Sequence, residues 1–339
     1  MTESMKPSLL VLYCGGTIGM RQNVRTSALR PELTIEELLK FSPLLQKEFS
    51  IKTKTITMID STNIQPHHWM EIAKAIAHDY QHYDGFVVLH GTDTMAYTAT
   101  ALSFALGNLG KPVVFTGSQV PPEILGSDAV SNMVHACMAA TMDFAEVAIA
   151  FGTSILRGNR SIKISESERD AFISPVFPAL GSIRLQPELT FDGVRRRHGG
   201  NLDLNNMFKG SVAVVKIVPG LDPRLLDTII DTDIDGLIVE SFGPGGIPNQ
   251  EQSLLPSIAR ARKKKIPVLV CTQCIYGTTR MYLYEVGQHA LKLGVIPTGD
   301  MTPEAAFVKL KWGLGQGLDA EGIIKLFGKD IAGEVTIRG

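Results

Sequence analysis

Gly85-Phe-Val-Val-Leu-His-Gly-Thr-Asp-Thr-Met-Ala-Tyr-Thr-Ala-Thr-Ala-Leu-Ser-Phe-Ala-Leu106 is the stretch that best indicates the fold. Residues 86–89 form a continuous apolar run, typical of a strand buried on both faces, and residues 94–106 are a run of small residues of helical length. Thr92 and Asp93 lie between them, at the edge of an open α/β sheet where ligands bind. Capping a helix needs only one such side chain. The excess of hydroxyl and carboxylate groups therefore indicates a functional turn.

The composition predicts a globular protein that binds a small molecule. The chain has 339 residues, enough for two domains, and 44% of them are hydrophobic. Lys and Arg number 33 against 34 for Asp and Glu, so no net field favours nucleic acid or a membrane surface.

Four scattered cysteines predict a reducing compartment, since a disulfide-stapled secreted domain would carry more of them in a shorter chain. The first apolar run, residues 9–13, is too short for a signal peptide, and no run approaches the length of a membrane span. We therefore expect a cytoplasmic protein. The spacing of Cys271 and Cys274 matches C-x-x-C, but no second pair accompanies them, which argues against a metal or redox site.

Units of strand, polar turn and helix recur through the first half of the chain. The predicted strands are 9–13, 51–59, 112–116 and 147–151, and the predicted helices are 35–49, 68–83 and 129–142. This order predicts parallel strands joined by right-handed crossovers, and hence an α/β fold. Residues 20–30 are polar and aperiodic, which fits either a mobile lid or an ordinary surface loop.

A domain boundary is predicted near the middle of the chain. Residues 183–191 alternate in polarity and precede Asp192-Gly193, the strongest hairpin signal in the sequence. A linker is predicted over 194–210, between an amino-terminal α/β catalytic domain, 1–193, and a carboxyl-terminal α/β domain, 211–339. Its basic run, 195–198, fits a solvated connector better than a weak anion site.

The second half repeats the pattern on a smaller scale. Its predicted strands are 212–218, 236–239 and 267–271, and its predicted helices are 254–265, 286–293, 303–313 and 320–327.

The glycine-rich turn Gly-Gly-Thr-Ile-Gly at 15–19 follows the first predicted strand. It lacks the spacing of a dinucleotide-binding or P-loop motif, which makes phosphate a poor candidate ligand. The hydroxyl of Thr17 would project at the edge of the sheet, where a base and turn amides could make it a nucleophile. A plain turn threonine is the alternative.

Lys163 is a candidate partner for the turn at residues 92 and 93. It follows the predicted strand 147–151 through Arg-Gly-Asn-Arg-Ser-Ile-Lys at 157–163. A lysine beside Asp93 could exchange protons with a threonine hydroxyl if its pKa were lowered. The alternative is a solvated lysine at the end of a strand.

Five motifs together resemble those of bacterial asparaginases, most closely the cytoplasmic type I branch. They occupy residues 15–20, 60–61, 90–95, 116–119 and 157–163. The resemblance covers about residues 9–334. It implies an amino-terminal domain with a parallel, flavodoxin-like sheet and a smaller α/β carboxyl-terminal domain. It also implies homodimers that often pair into tetramers, with sites shared between subunits, and no metal or organic cofactor.

The resemblance implies roles for individual residues. Thr17 would be the acylated nucleophile, and Thr92, Asp93 and Lys163 would form a second catalytic group. The amino-acid substrate would be lined by Asp60, Ser61, Thr62, Gly91, Thr92 and Asp93. A carboxylate such as that of Asp93 would select the free α-ammonium group, and the small hydroxyls would hold the α-carboxylate.

The segment after the first motif departs from the pattern of many relatives, in which this segment is a lid that carries a catalytic tyrosine. Residues 20–31 contain no tyrosine, and Ser27 falls near the expected place. Tyr284 matches a tyrosine in the carboxyl domain of type I relatives and is the candidate replacement, with a packed interface aromatic as the equal alternative.

Two further departures concern affinity and regulation. Gly246 stands where relatives usually place an asparagine that reaches into the neighbouring site, which leaves the preference for asparagine over glutamine open. Allosteric relatives bind a second asparagine through a threonine and an arginine, and Ile162 and Glu240 stand at those places. Hyperbolic kinetics are therefore expected.

The leading prediction is an amidohydrolase that converts L-asparagine to L-aspartate and ammonia through a threonine acyl-enzyme. One alternative is an amidase for glutamine or a larger amide, such as the ammonia-generating subunit of a transfer-RNA amidotransferase; the lack of an extra amino-terminal domain argues against that form. Another is a non-catalytic asparagine sensor, which the presence of all four catalytic side chains argues against.

Overall fold

The computed structural model describes residues 6–22, 26 and 28–337. By its internal contacts the chain divides into two units, Met1–Asn206 and Met207–Gly339. No helix within the described ranges is both long and apolar enough to cross a bilayer.

The first unit is built on an eight-stranded sheet. Its strands, together with short pairing segments outside the sheet, are β1 Ser8–Gly15, β2 Met20–Gln22, β3 Leu29–Pro31, β4 Ser50–Ile59, β5 Gly85–Leu89, β6 Leu106–Gly107, β7 Val113–Thr116, β8 Val147–Phe151, β9 Ser154–Arg157, β10 Ile162–Lys163, β11 Phe172–Ile173, β12 Gly181–Ile183, β13 Pro187–Leu189 and β14 Asp203–Leu204. The order in the sheet is β13-β12-β9-β8-β7-β5-β1-β4.

Five of these strands are parallel and follow the flavodoxin order. Numbered along the chain, β4, β1, β5, β7 and β8 lie in the order 2-1-3-4-5, with all four pairings parallel. The predicted α/β fold with a flavodoxin-like sheet is therefore confirmed. The direction of chain progression reverses between β1 and β5, and ligands bind at such a reversal.

Helices cover both faces of this sheet. They are α1 Ile35–Lys40, α2 Pro43–Glu48, α3 Pro66–Asp79, α4 Met95–Ala105 and α5 Ala129–Ala139. Every residue of β5 is buried, and nine of the eleven residues of α4 are buried as well. The opening stretch therefore forms the predicted strand–turn–helix unit at the centre of the first unit.

The second unit is a smaller α/β layer. Four parallel strands run in sequential order: β15 Val212–Lys216, β16 Gly236–Ser241, β17 Val268–Thr272 and β18 Ile296–Pro297. The helices are α6 Pro223–Asp231, α7 Leu255–Lys263, α8 Glu285–Lys292, α9 Pro303–Gly315 and α10 Ala320–Phe327. The predicted strands and helices are present, and α6 and β18 are elements that the pattern did not predict.

Two predicted elements are wrong in detail. The single helix expected over 35–49 is two short helices, because Pro43 begins α2 and cannot continue α1 through its missing N–H. The hairpin expected after Asp192-Gly193 instead turns inside the run 183–191, where β12 pairs with β13 across residues 184–186.

The predicted linker begins against the first unit. The Arg195 carbonyl accepts from the Ala145 N–H at 2.7 Å, and the Arg195 N–H donates to Glu146 at 2.9 Å. The guanidinium of Arg197 donates to the carbonyl of Met142 at 3.2 Å. Arg195, Arg196 and His198 are nevertheless exposed, so the basic run lies at the surface of the first unit, and its role as a linker stays a prediction.

The segment predicted to be a lid or a surface loop begins and ends in a small antiparallel ladder. β2 pairs with β3 from Met20 opposite Pro31 to Gln22 opposite Leu29. Arg21 binds Glu123 through two guanidinium nitrogens, with the closest contact at 2.7 Å. Ser27 lies outside the described residues.

Candidate active site

Three loops at the carboxyl edge of the sheet meet through close backbone contacts. Gly16 follows β1, Ser61 follows β4 and Gly91 follows β5. Gly16 has φ +84°, which favours glycine, and a Cβ there would overlap the Cα of Gly91. A Cβ on Gly91 would lie 2.6 Å from the Cβ of Ser61. The approach of these loops therefore depends on two glycines lacking side chains.

Lys163 brings the predicted acid–base groups together. Its Nζ lies 2.7 Å from Thr92 Oγ1 and 2.6 Å from Asp93 Oδ1. The lysine side chain is 16% exposed, whereas that of Asp93 is 53% exposed. The ammonium group therefore lies at the wall of the site and the carboxylate at its opening.

These residues line one cavity of about 140 Å³. Its lining consists of Gly16, Thr17, Met20, Asp60, Ser61, Gly91, Thr92, Asp93, Gln119, Lys163 and Glu166. Thr17 is half-buried and belongs to a single 3-10 turn, Thr17–Gly19. The two threonine motifs and the lysine, far apart in sequence, therefore share one pocket large enough for a small ligand.

The predicted substrate-binding residues on the loop after β4 differ in position. Asp60 and Ser61 line the cavity, and Ser61 is buried. Thr62 is exposed and is absent from the lining; its hydroxyl donates to Asp60 Oδ1 at 2.8 Å, and its N–H donates there at 2.9 Å. Thr62 therefore orients the Asp60 carboxylate.

Gln119 is a residue of the site to which the sequence assigned no role. Its Oε1 accepts from Thr92 Oγ1 at 3.3 Å, and its Nε2 donates to the carbonyl of Glu168 at 3.1 Å. The buried carboxylate of Asp128 accepts from the backbone N–H of Gln119 at 3.1 Å. The motif containing Gln119 was part of the resemblance, but the contact with Thr92 spans 27 residues and requires the folded sheet.

His90 lies beneath the turn and is fully buried. Its Nδ1 lies 2.7 Å from the carbonyl of Gly91 and its Nε2 lies 3.0 Å from Thr98 Oγ1. Burial lowers the pKa of His90 to about 4, so the ring is neutral at physiological pH. A neutral ring that donates from Nδ1 to Gly91 accepts from Thr98 at Nε2.

Thr94 connects two of the loops. Its side chain makes no capping hydrogen bond to α4; its hydroxyl donates to the carbonyl of Ser61 at 2.8 Å. The turn after β5 is therefore attached to the turn after β4.

The remaining candidates do not line the cavity. Tyr284 belongs to the second unit, where it is 60% exposed, and its catalytic role stays a prediction. Gly246 accepts from and donates to the backbone of Phe242 in a tight turn of that unit. Ile162 pairs with Ile173, and Glu240 lies in β16; the expected hyperbolic kinetics also stay a prediction.

Among the described residues, no cluster of three or more His, Cys, Asp or Glu side chains could hold a metal ion. All four cysteines are free thiols; three are buried and Cys274 is exposed. Burial raises the pKa of the Cys271 thiol to about 12, which makes it unreactive.

Comparison with known proteins agrees with this architecture. Residues 8–193 match the amino-terminal asparaginase family, and residues 211–327 match the glutaminase/asparaginase carboxyl-terminal domain. The chain belongs to the asparaginase/glutaminase family. The family assignment covers both units and the loops that form the cavity.

Two groups of proteins with different names are similar to this asparaginase-family chain. The L-asparaginase of Thermococcus kodakarensis is 36% identical over 97% of this chain and 99% of its own length. A glutamyl-tRNA(Gln) amidotransferase subunit of Pyrococcus abyssi is 37% identical over 97% of this chain and 77% of its own length.

Solved structures show the same fold. The thermostable L-asparaginase from Thermococcus kodakarensis superimposes with a TM-score of 0.91, covering 98% of this chain and 100% of that one at 36% identity. L-asparaginase I from Vibrio cholerae superimposes with a TM-score of 0.87 at 33% identity, covering 98% of this chain and 100% of that one.

Proposed function

We propose that this asparaginase-family protein hydrolyses L-asparagine to L-aspartate and ammonia. The observation that carries the proposal is the contact of one ammonium group with both Thr92 and Asp93, in the cavity that Thr17 also lines. A hydroxyl nucleophile, a proton-transfer pair and a carboxylate for an ammonium group are the parts that hydrolysis of an amino-acid amide requires. The similarity to named L-asparaginases supports the same substrate.

The proposed mechanism has two acyl-transfer steps. Thr17 Oγ1 attacks the side-chain amide carbon, and the proton of its hydroxyl is transferred to the amide nitrogen. Ammonia departs, and a β-aspartyl ester remains on Thr17. Water then attacks the ester carbon, and its proton passes through the Thr92 hydroxyl, which Lys163 contacts, to the departing Thr17 oxygen. This step releases aspartate and restores the Thr17 hydroxyl. N–H groups at the start of the helical turns would stabilise the tetrahedral oxyanions.

Asp60, Ser61, Thr62 and Gly91 are proposed to hold the amino-acid part of the substrate, with Asp93 accepting from its α-ammonium. We also propose that the protein belongs to the type I branch and forms a homodimer or a dimer of dimers. Tyr284 is proposed to supply the hydroxyl that the lid tyrosine supplies in many relatives. A cytoplasmic location is proposed because four free thiols suit a reducing compartment.

Direct assay of ammonia release from asparagine and glutamine tests this proposal. Thr17→Ala is expected to lower kcat at least about 10⁴-fold, because it removes the atom that forms the ester, and Thr17→Ser is the matched control that restores a hydroxyl. Thr92→Val is expected to lower kcat by about 10²- to 10⁴-fold. Full activity in either Thr17→Ala or Thr92→Val would remove that residue from the mechanism.

A second candidate function is the ammonia-supplying subunit of an amidotransferase. The observation that favours it is the 37% identity to relatives named as glutamyl-tRNA(Gln) amidotransferase subunits. Affinity purification from the native cell distinguishes the two functions. A stoichiometric partner protein that raises amidase activity would support the second candidate, and an active homo-oligomer without one would support the first.

A further inference from the structure

Glu166 is a charged residue of the cavity to which neither the predicted mechanism nor the family motifs assign a role. It lies in the segment after β10, three residues beyond Lys163, and it lines the same cavity as Thr17. Its side chain is exposed, and within the described residues no cation pairs with its carboxylate. The charge is therefore available to act on whatever enters the cavity.

The segment that carries Glu166 has a defined position. Ser165 Oγ accepts from the N–H groups of Ser167 at 3.2 Å and Glu168 at 2.9 Å, which closes the backbone into a compact turn around residue 166. The side-chain amide of Gln119 donates to the carbonyls of Ser165 at 3.3 Å and Glu168 at 3.1 Å. Because Gln119 also accepts from Thr92, the turn is linked directly to the proposed proton-transfer pair.

The formal charge of the cavity is negative. Three of its lining residues are acidic, namely Asp60, Asp93 and Glu166, and Lys163 is the one basic residue among them. The lysine is paired with Asp93, which leaves Asp60 and Glu166 as two negative charges without a cationic partner in the lining. A cavity of this sign raises the energy of an anionic occupant relative to a neutral one.

Substrate and product of the proposed reaction differ in charge. Asparagine carries one ammonium and one carboxylate, whereas aspartate carries a second carboxylate. We infer that Glu166 is a specificity-determining residue that disfavours the dicarboxylate product relative to the amide substrate, and so limits product inhibition. The inference rests on the proposed function, because it concerns the substrate and product of that reaction.

The experiment compares Glu166→Gln with the wild-type enzyme and with Glu168→Gln. The control removes the same charge from the same turn, at a residue outside the cavity lining, and keeps the backbone carbonyl that Gln119 binds. The measured quantity is the ratio of Ki for L-aspartate to KM for L-asparagine. Glu166→Gln is expected to lower this ratio about threefold at low salt, which is the size of effect that one solvent-exposed charge can produce. Glu168→Gln is expected to lower the ratio less.

Salt provides an independent readout. Added salt up to about 0.5 M is expected to lower the wild-type ratio towards that of Glu166→Gln, because screening weakens the repulsion of the dicarboxylate. An unchanged ratio in Glu166→Gln, or an equal change in Glu168→Gln, would overturn the inference.

Calorimetric titration with asparagine and aspartate separates this inference from the proposed function. Binding of both ligands without ammonia release would refute the hydrolase while leaving the ratio of the two Kd values to test Glu166. A protein that binds neither ligand would refute both.

Discussion

The buried imidazole of His90 makes stability depend on pH. Burial holds its pKa at about 4 in the folded chain, against an ordinary value of 6.5. The unfolded chain binds a proton there between those values and the folded chain does not, so this residue's contribution is present above pH 6.5 and is lost as the pH falls towards 4. The expected loss is about 2 kcal/mol between about pH 7 and about pH 4.5.

Denaturant unfolding of His90→Gln at both pH values checks this expectation. The variant removes the titrating group and should show the smaller decrease in unfolding free energy on acidification. His82→Gln, at an exposed histidine, is the control and should follow the wild type. Equal pH dependence in all three proteins would show that His90 does not carry the effect.

The sequence identified those functional residues whose place in the local strand–turn pattern is itself recognisable. Thr17, Thr92 and Asp93 each follow an apolar run that ends at the sheet edge, so a local pattern locates them. Gln119 acts through contacts with Thr92 and with the turn at 165–168. Glu166 lies in that irregular turn. No local pattern marks residues whose relevance comes from neighbours distant in sequence.

At the scale of elements, the contact between the loops after β1 and β5 depends on Gly16. Gly16→Ala would place a Cβ against the Gly91 backbone at a φ of +84°, which costs about 1–3 kcal/mol in backbone strain and separates the two threonine loops. We expect kcat/KM for asparagine to fall about 100-fold, since misplacement of reacting groups by about 1 Å has that effect.

Steady-state kinetics and thermal unfolding of Gly16→Ala test this expectation against Gly199→Ala. Gly199 has open space where a Cβ would lie, so its substitution should change neither quantity. Wild-type kcat/KM in Gly16→Ala would mean that the loops do not need this contact.

Strands are predicted more reliably than the elements between them. Runs such as Val147–Phe151 are buried on both faces, and burial alone specifies their position. The prediction of one helix over 35–49 is wrong because the apolar spacing continues across Ser42-Pro43, whereas the helical hydrogen bonding cannot continue through Pro43. The hairpin failed because its turn at 184–186 contains no glycine, proline or asparagine signal.

At the scale of the whole chain, a buried ion pair attaches the carboxyl-terminal segment to the second unit. Lys309 in α9 and Glu334 are both fully buried and in contact. Burial lowers the pKa of Lys309, while Glu334 opposes that shift. Glu334 also accepts from the N–H groups of Ile331 and Ala332, at 3.1 and 2.7 Å. The pair therefore holds residues 331–334 against α9.

Lys309→Met is expected to lower the unfolding free energy by about 3–5 kcal/mol, because it leaves a buried carboxylate without its cation. Adding Glu334→Gln should recover part of that loss, since the amide is neutral and keeps an oxygen for the two N–H groups. Urea unfolding of the single and double variants measures both effects. A double variant less stable than Lys309→Met would contradict the charge argument.

The division into two α/β units follows from two separate sets of strand–turn–helix patterns, and the sequence contains both. The boundary is less visible, because residues after 194 keep hydrogen bonds to the first unit although their composition is that of a loop. Charge and glycine content mark the end of regular structure, whereas the limits of a unit depend on contacts between distant residues.

The close backbone contacts of Gly16, Gly91 and Ser61 limit how this pocket can be redesigned. Side chains added at the two glycines would collide with neighbouring loops, so that wall cannot be reshaped by single substitutions. Glu166 lies on a different segment of the lining, in the turn after β10. Libraries aimed at longer amides should therefore vary residue 166 and keep the glycine wall constant.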